Sequence, residues 1–288
     1  MSAKTANHPE DHGRQYHIGA APGDVARSVL LVGDPERAER AASRFSSVRF
    51  RAARRDYRII TGEHEGRELS VMCVGMGAGC MEIAVVELCQ IVEQPMLVRA
   101  GSSGGLAPDI EPGDLVVTQG ALRMESASLG YVDVGYPAFA HAEAQLALVR
   151  AADELGVRHH VGVTATAAGF YGAQGRSVPG FRPLESGLIG RLAAQGVKNL
   201  EMEASCLLTL AAVRGLRAGV VCAVFGNRQD GRFVDDATKS ASEAAVVDVG
   251  LRALHHLARM EEQCAGRPHW HDGLTREALR PEGGPSAD

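Results

Sequence analysis

In the stretch Pro95-Met96-Leu97-Val98-Arg99-Ala100-Gly101-Ser102-Ser103-Gly104-Gly105, a short apolar run gives way to glycine and serine. Residues 96–100 lie between a proline and a turn-forming cluster, which predicts a buried strand followed by a loop. The strand carries one charge, Arg99. A cation in such a run costs several kcal/mol unless it is paired, so it calls for an anionic ligand or a carboxylate of the protein. The 101–105 segment directly after it offers backbone N–H groups and hydroxyls together, which suits an oxyanion cradle.

The same alternation extends in both directions. Residues 28–32 read as a strand ending in Gly33-Asp34-Pro35, and residues 36–45 as an amphipathic helix. Residues 57–61 and 69–74 flank the turn-rich 63–67 and predict a hairpin. Helices are predicted over 81–92, 142–155, 203–214 and 240–259, and further strands over 115–118, 160–166 and 218–225. With no internal repeat and no break in composition, these units predict an α/β fold: a single domain whose mostly parallel or mixed central β-sheet is flanked by helices. The domain is expected over residues 14–263, between a disordered N-terminal tail (1–13) and a flexible C-terminal tail (264–288) rich in Pro, Gly and charge. In such sheets ligands bind outside the carboxyl ends of the strands.

The composition narrows the function classes. The chain has 288 residues and a formal net charge of −5, which argues against a nucleic-acid partner. It has no apolar run long enough to cross a membrane, and residues 1–13 lack the apolar stretch of a signal peptide, so a cytoplasmic protein without membrane contact is expected. The six cysteines form no CxxC and read as small buried hydrophobes. His269 and His271 flank Trp270 without further ligands nearby and read as solvated, so no metal site is expected.

Several strand-end segments carry chemistry. Gly33 lets a ligand approach the backbone, and Arg37 lies one helical turn beyond, although such strand-to-helix turns are common. Gly75-Met76-Gly77-Ala78-Gly79 is GxGxG, not GxGxxG, and no acidic residue closes a dinucleotide-binding unit at the right distance. Glu201 and Glu203 flank Met202 at a predicted helix start. They read either as caps complementing the helix dipole or as acceptors for the vicinal hydroxyls of a sugar. Phe170-Tyr171-Gly172-Ala173-Gln174-Gly175-Arg176 is either a surface loop or a base site: Phe170 can stack, Gln174 can donate and accept, and Arg176 donates only. That last set matches a base edge bearing carbonyls and an N–H, such as uracil.

Taken in order, Tyr16-His17-Ile18-Gly19, Gly33-Asp34-Pro35-Glu36-Arg37, Arg55-Asp56-Tyr57, Gly75-Met76-Gly77, the 99–105 segment, the 170–176 segment, Glu201-Met202-Glu203 and Asn227-Arg228 resemble the nucleoside phosphorylase-I family, on its uridine phosphorylase side. The resemblance runs from about residue 16 to residue 257. It implies a pentosyltransferase that cleaves a nucleoside with inorganic phosphate as co-substrate and no cofactor, in nucleoside catabolism and pyrimidine salvage. It implies that Gly33, Arg37, Arg99 and Ser102 bind phosphate, with Arg55 reaching in from a neighbouring subunit. Glu201, Met202 and Glu203 would hold the ribose, with His17 at the 5′ end of the neighbour's site. Phe170, Gln174, Arg176 and Arg228 would bind the base, and Arg228, Glu203 and Arg99 would carry catalysis. It further implies a homo-oligomer with shared active sites, a hexamer or a dimer.

Several positions depart from the bacterial pattern. Ser102 stands in place of threonine and keeps the hydroxyl, while Phe225-Gly226 replaces an aliphatic pair beside the base. Asp56 and Cys80 replace a glutamate and a serine that some relatives use for a monovalent cation between subunits, and cysteine is a poor ligand for a hard cation. A purine or modified-nucleoside phosphorylase of the same family therefore stays open. A non-catalytic nucleoside-binding relative is disfavoured, because the phosphate arginines and Glu203 are all present.

Overall fold

The computed structural model describes residues 9–274. In chain order the elements are β1 (Glu10–Asp11), β2 (Arg14–Gln15), β3 (Ser28–Val32), α1 (Pro35–Ala42), β4 (Ser47–Arg54), β5 (Tyr57–His64), β6 (Arg67–Cys73), α2 (Ala78–Ile91), β7 (Met96–Gly105), β8 (Leu115–Met124), β9 (Ala138–Phe139), α3 (Ala142–Glu154), β10 (His159–Ala167), α4 (Leu188–Ala194), β11 (Asn199–Glu201), α5 (Ala204–Val213), β12 (Ala218–Asn227) and α6 (Asp236–Cys264).

One mixed sheet runs β11-β10-β8-β12-β7-β3-β6-β5-β4, with β9 added beside β8. Strands β6, β3, β7 and β12 are parallel, whereas β4 and β5 continue the sheet antiparallel. β11 also pairs antiparallel with the end of β7, through Asn199 opposite Gly105, and so closes a ring of five strands. Strand alternation sorts the core onto two faces. Val29, Leu31 and Leu97 pack with α2 and α5 on one face. Leu30, Val32 and Val98 pack with α1, α3 and α6 on the other. Arg99 shares the parity of Leu97, so it faces α5 instead of solvent.

The expected α/β architecture is present, with differences of detail. Residues 101–105 are strand, not loop: β7 continues to Gly105, pairing with β12 on one side and β11 on the other. The predicted cradle is therefore a strand end whose N–H groups are largely engaged by neighbours. β4, which carries three arginines and is mostly exposed, was not foreseen, although Val48, Phe50 and Ala52 alternate with Arg49 and Arg51. Glu201 closes a three-residue strand, and the helix starts at Ala204.

Order also extends beyond the expected domain ends. Asp11 belongs to the β1–β2 hairpin and accepts from Arg54 at 2.8 Å. Past Cys264, Trp270 packs on the α3–α6 core and its N–H donates to Glu143 at 3.1 Å. The rest of the expected tails, residues 1–8 and 275–288, lies outside the described residues. No helix among the described residues is long and apolar enough to cross a membrane.

Candidate functional site

A cleft of about 780 Å³ opens beyond the carboxyl ends of β3, β7 and β12. Its lining includes Gly33, Arg37, Arg99, Ser102, Phe170, Gln174, Arg176, Glu201, Met202, Glu203 and Arg228. Eleven of the thirteen expected site residues thus converge on one cavity from segments that span two hundred positions. The other two, His17 and Arg55, do not line it.

Three local devices build the sugar and phosphate region. At the end of β3, Asp34 caps α1 by accepting the N–H of Glu36 at 2.9 Å, and the helix then presents Arg37. Arg37 is buried and donates to Glu243 of α6 at 3.3 Å. Arg99 donates to Glu203 and lies 3.6 Å from Glu201. Burial alone would lower the Arg99 pKa, but the two carboxylates outweigh it and raise it, so Arg99 is a fixed cation. Its position depends on Gly101: a Cβ there would sit 1.7 Å from the Arg99 guanidinium. The glycine makes room for the arginine to fold back along its own strand.

The two glutamates have separate tasks. Glu201 accepts from the Thr166 hydroxyl at 2.6 Å, from the N–H of Glu203 at 2.8 Å and from that of Ala204. It therefore caps α5, as one of the two expected readings held. Burial pushes its carboxyl up, and Arg99 pulls it back. Glu203 does not cap the helix it precedes. It reaches across to Arg99 and accepts the N–H of Gly77, whose φ of +94° places that donor at the start of α2. The 75–79 segment thus positions a carboxylate through the Gly77 N–H.

Another group gathers at the 170–176 segment. Arg176 donates to the Gln174 side-chain oxygen and to the Phe170 carbonyl at 2.6 Å, and its guanidinium stacks 3.8 Å from the Phe170 ring. Arg228 donates to the Gln174 carbonyl at 3.1 Å. Burial, then the proximity of Arg228, pulls the Arg176 pKa down to about 10, and burial lowers that of Arg228. Both remain cationic at neutral pH, so two partly desolvated positive charges are held side by side.

Among the described residues, Arg37 Nε, Arg99 Nε and Arg228 Nη1 are buried N–H groups without a protein acceptor. All three belong to residues of this one cleft. Leaving such donors unpaired costs about 1–3 kcal/mol each, more when charged, so the arrangement is suited to an anion.

Sequence reading missed Lys239, Glu243, Phe233 and Arg232 in the lining. The first two lie on α6, which starts four residues before its predicted bound. The Arg37–Glu243 pair joins positions 206 apart, which no local pattern reveals. Outside the cleft, His17 is tied to Glu87 through its ring Nδ1 at 2.6 Å and its backbone N–H. Arg55, in the β4–β5 turn, lies 5.4 Å from the ring centre of Tyr16, the residue before His17.

Residues 27–261 match the family described as the phosphorylase superfamily. The chain belongs to that family. A uridine phosphorylase of Thermococcus kodakarensis is 44% identical over 94% of this chain and 97% of its own length. A guanosine phosphorylase of Halorubrum lacusprofundi is 33% identical over 77% of this chain and 89% of its own. Among solved structures, the uridine phosphorylase of Vibrio fischeri complexed with 6-hydroxy-1-naphthoic acid superposes with a TM-score of 0.76 at 26% identity, covering 86% of this chain and 97% of that one. The family match spans the cleft, so the site described above lies within the shared fold.

Proposed function

We propose that the chain is a pentosyltransferase that converts uridine and inorganic phosphate to uracil and ribose 1-phosphate, without a cofactor. The observation that carries this reading is the sharing of one cleft by the buried Arg37, Arg99 and Arg228 donors and the Glu203 carboxylate. The identity to the Thermococcus kodakarensis uridine phosphorylase supports the choice of uridine.

The chemistry follows from where charge develops. As the glycosidic bond stretches, the ribose becomes oxocarbenium-like and the base becomes anionic. Phosphate held by Gly33, Arg37, Arg99 and Ser102 stabilises the cation and attacks C1′. Glu203, with Met202 beside it, accepts from the ribose hydroxyls, and Glu201 holds the backbone of this junction in place. Gln174 recognises the uracil edge, against which Phe170 stacks. Arg176 and Arg228 lie close enough to repel each other, and negative charge on the leaving base relieves that repulsion. Their contribution is therefore larger in the transition state than in the ground state, as catalysis requires. No covalent enzyme intermediate is needed.

The same reading makes the protein a homo-oligomer, a hexamer or a dimer. Arg55 and His17, which lie outside their own subunit's cleft, then complete a neighbour's site. It also places the enzyme in the cytoplasm, in pyrimidine salvage. A second reading, a purine nucleoside as substrate, is favoured by Phe225-Gly226 in the lining. A Cβ at Gly226 would lie 2.8 Å from the Phe233 ring, so glycine here lets the 231–233 turn close onto the base end.

Release of free base from uridine, thymidine, inosine, guanosine and adenosine, each with and without phosphate, tests both readings. Phosphate-dependent uracil release is the expected result. Phosphate-dependent release from purines alone would overturn the uridine assignment, and phosphate-independent release would overturn phosphorolysis.

A further inference from the structure

We propose that His64, Glu65 and His255 form a binding site for one divalent transition-metal ion, zinc by their donor set, that clips the β5–β6 hairpin to α6. The three residues offer two imidazole nitrogens and a carboxylate oxygen, all within 4.8 Å of one another. His64 Nδ1 and His255 Nε2 are 2.8 Å apart, from positions 191 residues apart in the chain. Two nitrogens on a tetrahedral zinc with Zn–N near 2.0–2.1 Å stand about 3.3 Å apart, so the rings need to part by only about half an ångström. Two imidazoles and a carboxylate fit zinc better than calcium or magnesium, which take oxygen ligands.

The surroundings bear this out. Both histidines are buried, whereas Glu65 is exposed, so the trio opens to solvent on one side where water can supply a fourth ligand. His64 pairs with Arg67 across the hairpin, leaving Glu65 and Gly66 as a two-residue turn with φ of +48° and +77°. That turn fixes Glu65 beside the adjoining strand residue. The competitor is Arg252, one turn before His255 on α6, which donates to Glu65 at 3.1 Å. It must swing away when a cation enters, and its side chain is 34% exposed, with room to do so.

A metal-free alternative is a plain hydrogen bond between the two rings, one donating and one accepting. Zinc chloride titrated into the chelator-stripped full-length enzyme, followed by calorimetry and by thermal unfolding, separates the two, with cobalt(II) absorption in the visible as a coordination signature. The expected result is one equivalent bound, a raised Tm and a cobalt d–d band of low-symmetry four-coordination. Glu65→Gln, at an exposed position that does not threaten folding, and His255→Gln should each weaken binding by more than the roughly 10–100-fold that loss of an outer-shell partner costs. Arg252→Gln should tighten it. The paired change His269→Gln and His271→Gln should leave it unchanged. Uridine phosphorolysis by each variant reports an intact fold. No stoichiometric zinc binding by the unmodified enzyme, binding that survives both Glu65→Gln and His255→Gln, or binding lost with His269 and His271 would each overturn the site.

Discussion

Arg99 and Glu203 form an ion pair in the lining of the cleft, with side chains only 4% and 5% exposed. Neither charge is tolerable alone at that depth, so the pair is both a structural tie between β7 and the start of α5 and the core of the proposed phosphate and ribose site. Removing one partner leaves the other buried and uncompensated, which typically costs about 3–5 kcal/mol. Arg99→Ala should therefore lose stability of that order in urea denaturation as well as phosphate-dependent turnover. Glu203→Gln keeps the shape and an acceptor and leaves Arg99 with Glu201 3.6 Å away, so it should stay folded. Its kcat/KM for uridine should still fall by about a hundredfold or more, of the size seen for loss of one preorganised electrostatic contact. Near-normal turnover in either variant would remove Arg99 and Glu203 from the proposed chemistry.

Gly101→Ala asks whether the fold-back of Arg99 matters. The new methyl group would overlap the guanidinium, 1.7 Å away, and it also approaches the Cys222 sulfur at 3.1 Å. Overpacking of this kind costs about 1–3 kcal/mol. The expected kinetic signature is a raised KM for phosphate, measured at saturating uridine. An unchanged phosphate KM would mean that Arg99 finds its place without the glycine's space.

Gln174→Ala removes the donor–acceptor pair of the base end and the side-chain oxygen that Arg176 holds. Uridine kcat/KM should drop while the phosphate KM stays level. Equal loss for both substrates would point to collapse of the 170–176 segment instead of a base contact.

How far the sequence was readable depended on the distance over which a residue acts. Strands such as 28–32 and the helix at 142–155 follow from apolar spacing within ten or fifteen residues, and the structure has them at nearly those bounds. Arg99 was identifiable because a charge in an apolar run needs a partner wherever that partner lies. Which partner it takes depends on how β7 and β11 pair, which is long-range. The 101–105 glycines misled for the same reason. Their composition suits a loop, but β12 and β11 supply hydrogen bonds on both sides and hold them in a strand. Lys239 and Glu243 had no local signature, since α6 comes to the cleft only when the helix packs against β7 and β3.

His141 supplies a pH test outside the cleft. It is the N-cap of α3, and its ring Nδ1 accepts the N–H of Glu143 at 3.3 Å, which requires the neutral ring. Burial holds its pKa below the ordinary 6.5. The unfolded chain therefore binds the proton first as pH falls below about 6.5, and stability declines from there downward until the folded-state pKa is passed. A cation at a helix N-terminus adds to the penalty. Replacing His141 with Asn keeps a capping acceptor that does not titrate. Thermal unfolding between pH 7 and about 5 should show a shallower loss of Tm in His141→Asn than in the parent. Parallel curves would remove His141 as a source of acid lability.

Arg55 provides the sharpest test of site sharing, because it lies outside its own subunit's cleft yet belongs to the expected phosphate set. Arg55→Ala and Arg99→Ala should each be inactive as pure proteins. If each cleft takes Arg99 from one subunit and Arg55 from the next, subunits unfolded and refolded together will form mixed contacts in which one cleft of a pair has both arginines. Random mixing in equal amounts then restores roughly a quarter of the parent activity, since half the pairs are mixed and half of their sites are whole. Because Arg99→Ala carries a stability cost, Glu203→Gln serves as the alternative partner: it too disables the cleft's own subunit while leaving Arg55 intact. No recovery with either partner, although refolded Arg55→Ala oligomerises normally, would confine Arg55 to its own subunit. Its place beside Tyr16 on the hairpin tip would then be purely structural.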